Sequence, residues 1–421
     1  MLRTTLTAAV CLVVAGQTHA QAQAPSSALE RKLTYAAAVE RALAANPTIA
    51  AARLRRSVNI ASRDVAAERL NPEFRTEFAK ETPKDSYTLA VPWETGGKRS
   101  RRIAVADATI ATGEAELDAT IAGVYADVRR AFFDRYIAES RQLLLADVEM
   151  LAQRARDAAQ VRFDAGDAPQ LEVLQADLVL ADAQNQAIAV TGAVTSARVS
   201  LNALLGYPLD AATPIDMTLD VQAPLGADSA LVRAREANAE LLVFDRRIAE
   251  QQARIALAHA LRQPDLTPEA TLTHRAEPEF TYGWRAAIAV TLPLLTTHKA
   301  GVAVENATLT QLTSERAAAV TRITGAVTAA AAVAEAQRQQ YIRYRDQIIP
   351  QALEVERMAE DSYRLGQTNI AAYLQALQST RDVRLRALQA VADLQNALAD
   401  LERAIGAPVI PTAPANGPTT P

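Results

Sequence analysis

A sequence repeat constrains the fold more than any other feature of this chain, because the second half matches the first at a constant offset of 200 residues. Arg162–Asp167 aligns with Ser362–Gln367, and the register holds without a gap to Gly206, which aligns with Gly406. Between these points the tripeptide Leu-Gln-Ala occurs at the same position of both copies. Two copies, rather than the many of a solenoid, predict a pseudo-symmetric body built from duplicated halves.

Long helical patterns dominate both copies. Prolines are confined to a few places in the 421-residue chain, and most proline-free stretches show the three- and four-residue apolar spacing of helices. A helix of about 65 residues extends nearly 100 Å, so two stacked half-length helices can lie beside it. Pro350 is expected to bend or locally break the second long helix. We predict six main helices at about 33–70, 99–164, 169–205, 228–262, 299–364 and 368–405.

Each half also contains a predicted β-hairpin, at about 72–95 and about 264–293. Apolar and polar residues alternate there in strands of about ten residues, which is the length of a tilted transmembrane strand. A soluble hairpin that caps the helices would show the same pattern. If the strands span a membrane, the membrane-facing residues are Tyr87, Leu89, Val91, Trp93, Tyr282, Trp284, Ile288 and Val290.

Four transmembrane strands cannot close a barrel, because the smallest known type has about eight and an open edge in lipid leaves backbone groups unsatisfied. The strands must then be shared between chains. Three copies would supply twelve strands, and the helices of the same copies would form a continuous tube. The predicted fold is therefore mainly α with a small membrane β part: a trimeric α-barrel tunnel topped by a shared 12-stranded β-barrel.

The ends of the chain and the link between its halves have compositions of their own. Residues 1–20 show the basic, apolar and small-residue parts of a secretory signal, and the only cysteine, Cys11, lies within them. The mature halves are predicted at 21–206 and 228–406, joined by a proline-containing connector at 207–227. Residues 407–421 form a proline-rich tail that is expected to be flexible.

Composition and motifs argue against several function classes. The net charge of -4, with mixed signs along the chain, gives no basic surface for nucleic acid. The mature histidines His259, His274 and His298 share no metal-ligand spacing, and no hydrolase or phosphate-loop motif is complete. We therefore predict no enzymatic activity, no metal site and no cofactor.

The residues resemble a known family, the TolC-type outer-membrane efflux channels of Gram-negative bacteria. The resemblance covers the whole mature chain and includes Leu33-Thr34-Tyr35, Asn46-Pro47, the strand exit 92–99 with the pattern Pro-x-Glu-x-Gly-Gly-Lys-Arg, and the turns at Gly166 and Gly366. The strand exit looks most like the branch that serves heavy-metal resistance-nodulation-division pumps. The resemblance implies a homotrimer in outer-membrane lipid, with its tunnel in the periplasm, that conducts substrates delivered by a periplasmic adaptor and an inner-membrane pump.

The resemblance also assigns roles to individual residues. It places the adaptor contacts and the tunnel entrance at the two turns, in residues Arg162, Gly166, Asp167, Leu171, Arg364, Gly366, Gln367 and Ile370. Members of the family carry two entrance aspartates where this chain has Ala372 and Gln375, so Glu172 and Asp177 are the nearest acidic candidates. The alternative hypothesis is a soluble periplasmic coiled-coil adaptor or spacer, whose hairpins are only caps.

Overall fold

The computed structural model describes residues 32–216 and 223–406. The predicted signal at 1–20, the tail at 407–421 and part of the connector lie outside the described residues. The helices are α1 Tyr35–Ala45, α2 Pro47–Ala67, α3 Lys98–Asp164, α4 Gln170–Leu205, α5 Ala227–Ala237, α6 Ala239–Ala260, α7 Lys299–Arg343, α8 Ile349–Arg364 and α9 Ile370–Ile405. The strands are β1 Glu73–Phe78, β2 Asp85–Ala90, β3 Asp265–Ala276 and β4 Phe280–Thr291.

Two long helical rods organise the molecule. The first is α3, whose 67 residues extend about 100 Å at 1.5 Å per residue. The second is formed by α7, a π-helical turn at Tyr344–Ile348 and α8. Shorter helices follow each other along these rods: α2 and then α4 pack on α3, while α6 and then α9 pack on both α3 and α7. The predicted side-by-side arrangement of long and half-length helices is confirmed.

Two of the six predicted helices are each divided in the structure. The predicted helix at 33–70 is α1 and α2, separated at Asn46, and the predicted helix at 228–262 is α5 and α6, separated at Asn238. Both asparagines have an extended backbone, and each side chain caps the helix that follows. The Asn46 carboxamide oxygen accepts from the Thr48 and Ile49 amides. An asparagine cap satisfies amides that lack a partner within the helix, so each break is stabilised locally.

The same asparagines join the stacked helices end to end. The Asn46 side-chain nitrogen donates to the Leu204 carbonyl at 2.9 Å, at the end of α4. The Asn238 nitrogen donates to the carbonyls of Ala404 and Ile405 at 3.1 and 3.2 Å, at the end of α9. Each helix end is followed by a glycine with positive φ, Gly206 or Gly406. The duplicated halves therefore share one junction, in which an asparagine meets a glycine-ended helix.

Pro350 changes the helix geometry of the second rod. The π-helical turn lies directly before α8, and Pro350 occupies the first turn of α8. Proline has no amide hydrogen, and its ring collides with the carbonyl four residues earlier in a regular helix. The wider turn relieves that collision locally, so the rod continues past Pro350 to Arg364. The prediction of a local break at this proline is confirmed as a π-turn.

The four strands form one antiparallel sheet in the order β1-β2-β3-β4. The sheet joins the two halves, because β2 of the first hairpin pairs with β3 of the second. β3 and β4 have 12 residues each, but β1 and β2 have only six, which is shorter than the predicted ten. Pro72 directly precedes β1 and has no amide to donate. Beyond the end of β2, the chain still pairs irregularly with β3, since the Trp93 amide donates to the Leu266 carbonyl at 2.7 Å.

The core lies between the helices in separate clusters rather than in one centre. One cluster packs α1 against α3 and α4 through Val39, Val128 and Leu201, and another packs α5 against α7 and α9 through Ala234, Val327 and Leu401. A buried ion pair links the two repeats, since Arg129 of α3 contacts Glu402 of α9 at 2.7 and 2.8 Å. Elongated layers of helices can bury their side chains only in such local clusters.

Candidate functional site

The two faces of the sheet differ sharply in polarity. The strand register places alternate residues of all four strands on a common face. Trp284 is 83% exposed there and Phe78 73%, although both are large and apolar. The opposite face carries Glu73, Arg75, Glu77, Ser86, Thr88, Ala90, Thr267, Glu269, Thr271, Thr273, Arg285, Ala287 and Ala289. The apolar face carries Phe74, Phe78, Tyr87, Leu89, Leu266, Pro268, Ala270, Leu272, Tyr282, Trp284, Ala286, Ile288 and Val290, with Thr76 among them and with Asp85 and His274 at the end next to the hairpin turns.

Both outer strands of the sheet have an unpaired edge within the described chain. β1 pairs only with β2, and β4 pairs only with β3. A strand edge exposes a row of amides and carbonyls that can pair with another chain. The predicted membrane residues Val91 and Trp93 lie just beyond β2, and Trp93 is bridged to Leu266 of β3. A second sheet of the same kind would complete the pairing at each edge.

The Gly-Gly-Lys-Arg segment makes the connection between sheet and helix. Lys98, the first residue of α3, is buried, and its ammonium donates to Asp265 at 2.6 Å and to the Gln263 carbonyl at 2.9 Å. The Arg99 guanidinium donates to the Ala67 carbonyl at 2.6 Å, at the end of α2. Gly96 has φ +65, and a Cβ there would lie 2.6 Å from Cγ of Gln263. The motif therefore fastens α3 to the start of β3 and to α2.

The two turns at the far end of the rods, around Gly166 and Gly366, have the same pattern of backbone hydrogen bonds. In the first turn the amides of Gly166 and Asp167 donate to the carbonyls of Phe163 and Arg162 at 2.9 Å each. In the second, the amides of Gly366 and Gln367 make the equivalent bonds at 3.0 and 2.9 Å. Both glycines have positive φ, and a Cβ on either would meet no atom within 4 Å. Backbone conformation, rather than space, therefore requires glycine at both positions.

A tyrosine joins the two turns. The Tyr363 ring is 1% exposed, lies 5.8 Å from the Tyr373 ring and has the Arg162 guanidinium 4.9 Å from its centre. Its hydroxyl donates to the Glu172 carboxylate at 3.3 Å. Burial raises the pKa of Tyr363, and the Glu172 charge raises it further. Burial also raises the pKa of Tyr373 to about 12. Both hydroxyls therefore stay protonated at neutral pH.

The structure divides the sequence-predicted entrance residues into exposed and buried groups. Leu171 is 61% exposed, and Asp167, Arg364 and Gln367 are also exposed. Ile370 is 1% exposed and packs with Tyr363 in the cluster between the hairpins. In this conformation the chain itself covers Ile370, because the residue occupies the apolar inner side of the first turn of α9, and its role as an adaptor contact stays a prediction.

The two acidic candidates both have partners in their own chain. Glu172 accepts the Tyr363 hydroxyl, and Asp177 pairs with Arg156 at 3.1 Å. Neither is a free carboxylate in the single protomer. The residues that sequence reasoning missed are the partners themselves, Tyr363 and Arg156, together with Lys98 and Asp265 at the sheet. Of these four residues, only Lys98 could have been found from the sequence, because it belongs to the strand-exit motif.

Within residues 32–216 and 223–406, two helices contain windows apolar enough to cross a membrane. They are α4, with a mean hydropathy of 1.4, and the rod Lys299–Arg364, with a mean hydropathy of 1.5. Only 22% and 28% of those windows are buried within the chain. Both helices are longer than a bilayer requires and are rich in alanine, as closely packed helices are. Their exposed apolar faces are suited to contact between copies.

A comparison with protein families bears on the first half of this molecule. Residues 38–207 match the family model described as outer membrane efflux protein, which is less than half of the chain. This part of the chain is therefore similar to an outer membrane efflux protein domain. The match covers the first repeat, from α1 to the junction glycine after α4, and it confirms the resemblance found in the sequence.

A metal resistance protein is similar to about half of the chain. The cobalt-zinc-cadmium resistance protein CzcC of Cupriavidus metallidurans is 30% identical over 205 residues, which is 47% of this chain and 48% of that protein. The aligned part thus spans about half of the relative's length.

Solved structures are similar over most of the chain. The outer-membrane channel OprN has a TM-score of 0.73 at 19% identity, covering 88% of this chain and 89% of that one. CusC has a TM-score of 0.71 at 14% identity, covering 89% and 92%. The Neisseria gonorrhoeae MtrE outer membrane channel has a TM-score of 0.71 at 19% identity, covering 89% of both. These similarities confirm the predicted fold class of the protomer.

Proposed function

We propose that this protein is the outer-membrane channel of a tripartite efflux system. Three copies would assemble into one conduit, with a shared barrel of twelve strands in the outer membrane and a tunnel of helices in the periplasm. Each predicted half, 21–206 and 228–406, would contribute one hairpin to the barrel. The conduit would passively conduct substrates that an inner-membrane pump and a periplasmic adaptor deliver.

One observation carries this proposal: a four-stranded sheet with an apolar face, a polar face and two unpaired edges stands at the end of rods about 100 Å long. In lipid, every backbone amide and carbonyl needs a partner, so an open edge is excluded. Pairing β1 of one copy with β4 of the next would give each edge a partner from another chain over the length of β1. The apolar face then contacts lipid, and the polar face lines water.

The adaptor would dock at the two turns. Leu171 and Leu365 are 61% and 72% exposed there, beside the polar residues Asp167, Arg364 and Gln367. Such a mixed surface at the tip of a helical hairpin is suited to contact with another helical hairpin. Separating the turns would require Tyr363 to leave its contacts with Arg162 and Glu172, so this cluster would hold the entrance closed.

The name of one relative suggests a class of substrate for the proposed channel. CzcC is named for cobalt, zinc and cadmium resistance, and the strand-exit motif resembles the heavy-metal branch of the family. Among the described residues there is no group of three or more histidine, cysteine, aspartate or glutamate side chains that could hold a metal ion. We propose that metal ions are cargo of the conduit and that the protein has a transport role without enzymatic activity.

The test is to express the tagged protein in a Gram-negative host, separate the membranes by density, and measure the mass of the species extracted in mild detergent without boiling. A trimer in the outer-membrane fraction is expected. A periplasmic monomer or dimer that needs no detergent would contradict the channel and favour the alternative, a soluble coiled-coil spacer. That alternative leaves the exposed Trp284 and Phe78 without a role.

A further inference from the structure

One side of the helical layer is concave along much of its length. Three concavities of about 400, 580 and 650 Å³ lie along α3 and are bounded by its neighbours. Their α3 residues include Glu116, Gly123 and Arg130, spaced by seven. A spacing of seven keeps residues on one side of a supercoiled helix. The three concavities therefore form one continuous surface, here called the inner face.

The inner face lies opposite the short helix α1. Val128 of α3 packs against Val39 of α1, whereas Arg130, two residues later, lines a concavity. Two residues correspond to about 200° around a helix axis. A tube must leave its lumen free, so α1 belongs on the outside of the assembly and the inner face lines the tunnel. This step rests on the proposed function.

Positive and negative side chains are nearly equal in number on the inner face. Seven arginines and six carboxylates line the three concavities. The residues span positions 109–141 of α3, which is about 48 Å of tunnel length. The ion pairs are Arg55 with Glu116 at 3.0 Å, Arg247 with Glu116 at 2.8 Å, Arg254 with Glu250 at 2.6 Å, Arg403 with Asp127 at 2.5 Å, Arg130 with Asp400, and Arg322 with Glu240.

Pairing of carboxylates with arginines changes the electrostatic field that a solute meets in the tunnel. A channel lined by carboxylates alone raises the local concentration of cations by about 10-fold or more. A carboxylate within 3 Å of a guanidinium instead presents a dipole, whose field is short-ranged and further screened by salt within about 10 Å. All of these pairs except Arg254 with Glu250 connect different helices. In three of them one arginine pairs with one carboxylate that has no second arginine: Arg130 with Asp400, Arg322 with Glu240, and Arg403 with Asp127.

We infer that Arg130, Arg322 and Arg403 cancel the carboxylate charge of the tunnel wall, so that the conduit accepts cationic and anionic solutes alike. The specificity of the system would then come from the pump that loads the channel. A divalent metal ion would pass this stretch without being retained, and so would an anionic or zwitterionic compound of similar size.

The experiment is the reversal potential of the purified trimer in a planar lipid bilayer under a KCl gradient. For the unmodified protein we expect a K⁺/Cl⁻ permeability ratio of about 1, because the wall has little net charge. The variant Arg130→Gln/Arg322→Gln/Arg403→Gln frees Asp400, Glu240 and Asp127. Its ratio should rise roughly tenfold toward cations.

Two further variants keep the inference falsifiable. Asp127→Asn/Glu240→Gln/Asp400→Asn frees the arginines and should shift the ratio toward anions. Arg345→Gln is the matched control, because its pair with Asp346 at 2.6 Å lies in a groove beside Tyr136, which packs on the α1 cluster. It should leave the ratio unchanged.

The outcomes separate this inference from the proposed function. An unmodified pore with strong cation preference, or triple variants that conduct with an unchanged ratio, would overturn the inference and leave the channel intact. A purified trimer that forms no pore even with Tyr363→Ala, which removes the contacts that hold the two turns together, would instead contradict the proposed function, and the inference with it.

Discussion

At the scale of single residues, the contacts that matter most join side chains far apart in the sequence. Arg129 and Glu402 are separated by 273 positions and are 3% and 1% exposed. Arg129 also donates to Gln395 at 3.1 Å and lies 4.7 Å from the centre of the Tyr35 ring. A buried pair of this kind is destabilising when one partner is lost, because the other charge stays buried without compensation.

The variant Glu402→Gln should therefore lower the free energy of unfolding by about 3–5 kcal/mol. Urea denaturation of the detergent-solubilised protein, followed by far-ultraviolet circular dichroism, measures the change. The control is Glu354→Gln, which removes a pair with Arg357 on the exposed surface of α8. Water and salt screen such a pair, so its denaturation midpoint should not move. Equal midpoints for the two variants would show that burial of Arg129 has no energetic role.

The sequence indicated some of these residues and not others. The two turn glycines could be predicted, because positive φ is a local requirement that repeats with the register of the duplication. Tyr363, Arg156 and Glu402 could not be predicted, since their importance depends on partners brought together by packing. A single sequence carries no record of such partners, and an acid such as Glu172 therefore looks free until the tyrosine beside it is known.

At the scale of elements, the junctions between strands and helices hold the sheet and the rods together. Lys98 begins α3 and is buried against Asp265 and the Gln263 carbonyl. Lys299 begins α7 at a comparable place in the second half, but it is exposed and makes no ion pair within the described residues. The two lysines thus provide a matched comparison between a buried junction and an exposed one.

We expect Lys98→Met to loosen the connection between sheet and rod, because Asp265 loses its charged partner in a partly buried site and keeps only the bond from the Thr95 amide, at 3.1 Å. Limited proteolysis of the folded protein, with fragments located by mass spectrometry, should show new cleavage near residues 92–98 and 263–265. Lys299→Met should give the cleavage pattern of the unmodified protein. Identical patterns for both variants would contradict the role assigned to the Gly-Gly-Lys-Arg segment.

The helix junctions give a second comparison at this scale. A Cβ at Gly206, where φ is +66, would lie 2.5 Å from the Ala45 carbonyl oxygen, whereas a Cβ at Gly192 within α4 meets nothing within 4 Å. Gly206→Ala should lower the thermal midpoint, with a cost of at least about 1 kcal/mol from the strained backbone alone. Gly192→Ala should raise stability by up to about 1 kcal/mol, because alanine favours the helix. Scanning calorimetry of both variants measures the opposite signs.

Element types were predicted correctly where the apolar spacing is long and continuous, as in α3, α4 and α9. The breaks at Asn46 and Asn238 were missed, although asparagine is a strong cap and Pro47 favours the start of a helix. Apolar spacing continues through both breaks, since α1 and α2 bury neighbouring faces. Strand lengths in the first hairpin were overestimated for a similar reason: alternation continues to Trp93, while regular pairing ends at Ala90.

At the scale of the whole molecule, the sheet separates two environments. Trp284 and Ala287 lie in the same strand, but the register assigns them to the apolar and the polar face respectively. The proposed channel requires lipid on the first face and water on the second. A soluble spacer would have water on both faces, so the response to a charge on each face distinguishes the two molecules.

Accordingly, Trp284→Arg should reduce the amount of heat-dissociable trimer recovered from the outer membrane, because an arginine on the lipid face of a barrel costs up to about 2–4 kcal/mol, depending on its depth. Ala287→Arg should be tolerated and should alter conductance only. Gel mobility with and without boiling, for equal amounts of expressed protein, measures both. Equal recovery of the two variants would show that the apolar face does not contact lipid.

The unpaired edges of β1 and β4 have a consequence for how the protein reaches its final state. Neither edge is paired within residues 32–216 and 223–406, so in lipid the sheet of one copy is left with unsatisfied backbone groups. If the proposed trimer is the membrane form, insertion is a reaction among three molecules, and its yield should depend steeply on the amount of protein present rather than on the properties of one chain. Slow synthesis would favour loss to proteases, and the cell would set the number of channels by the rate at which copies meet.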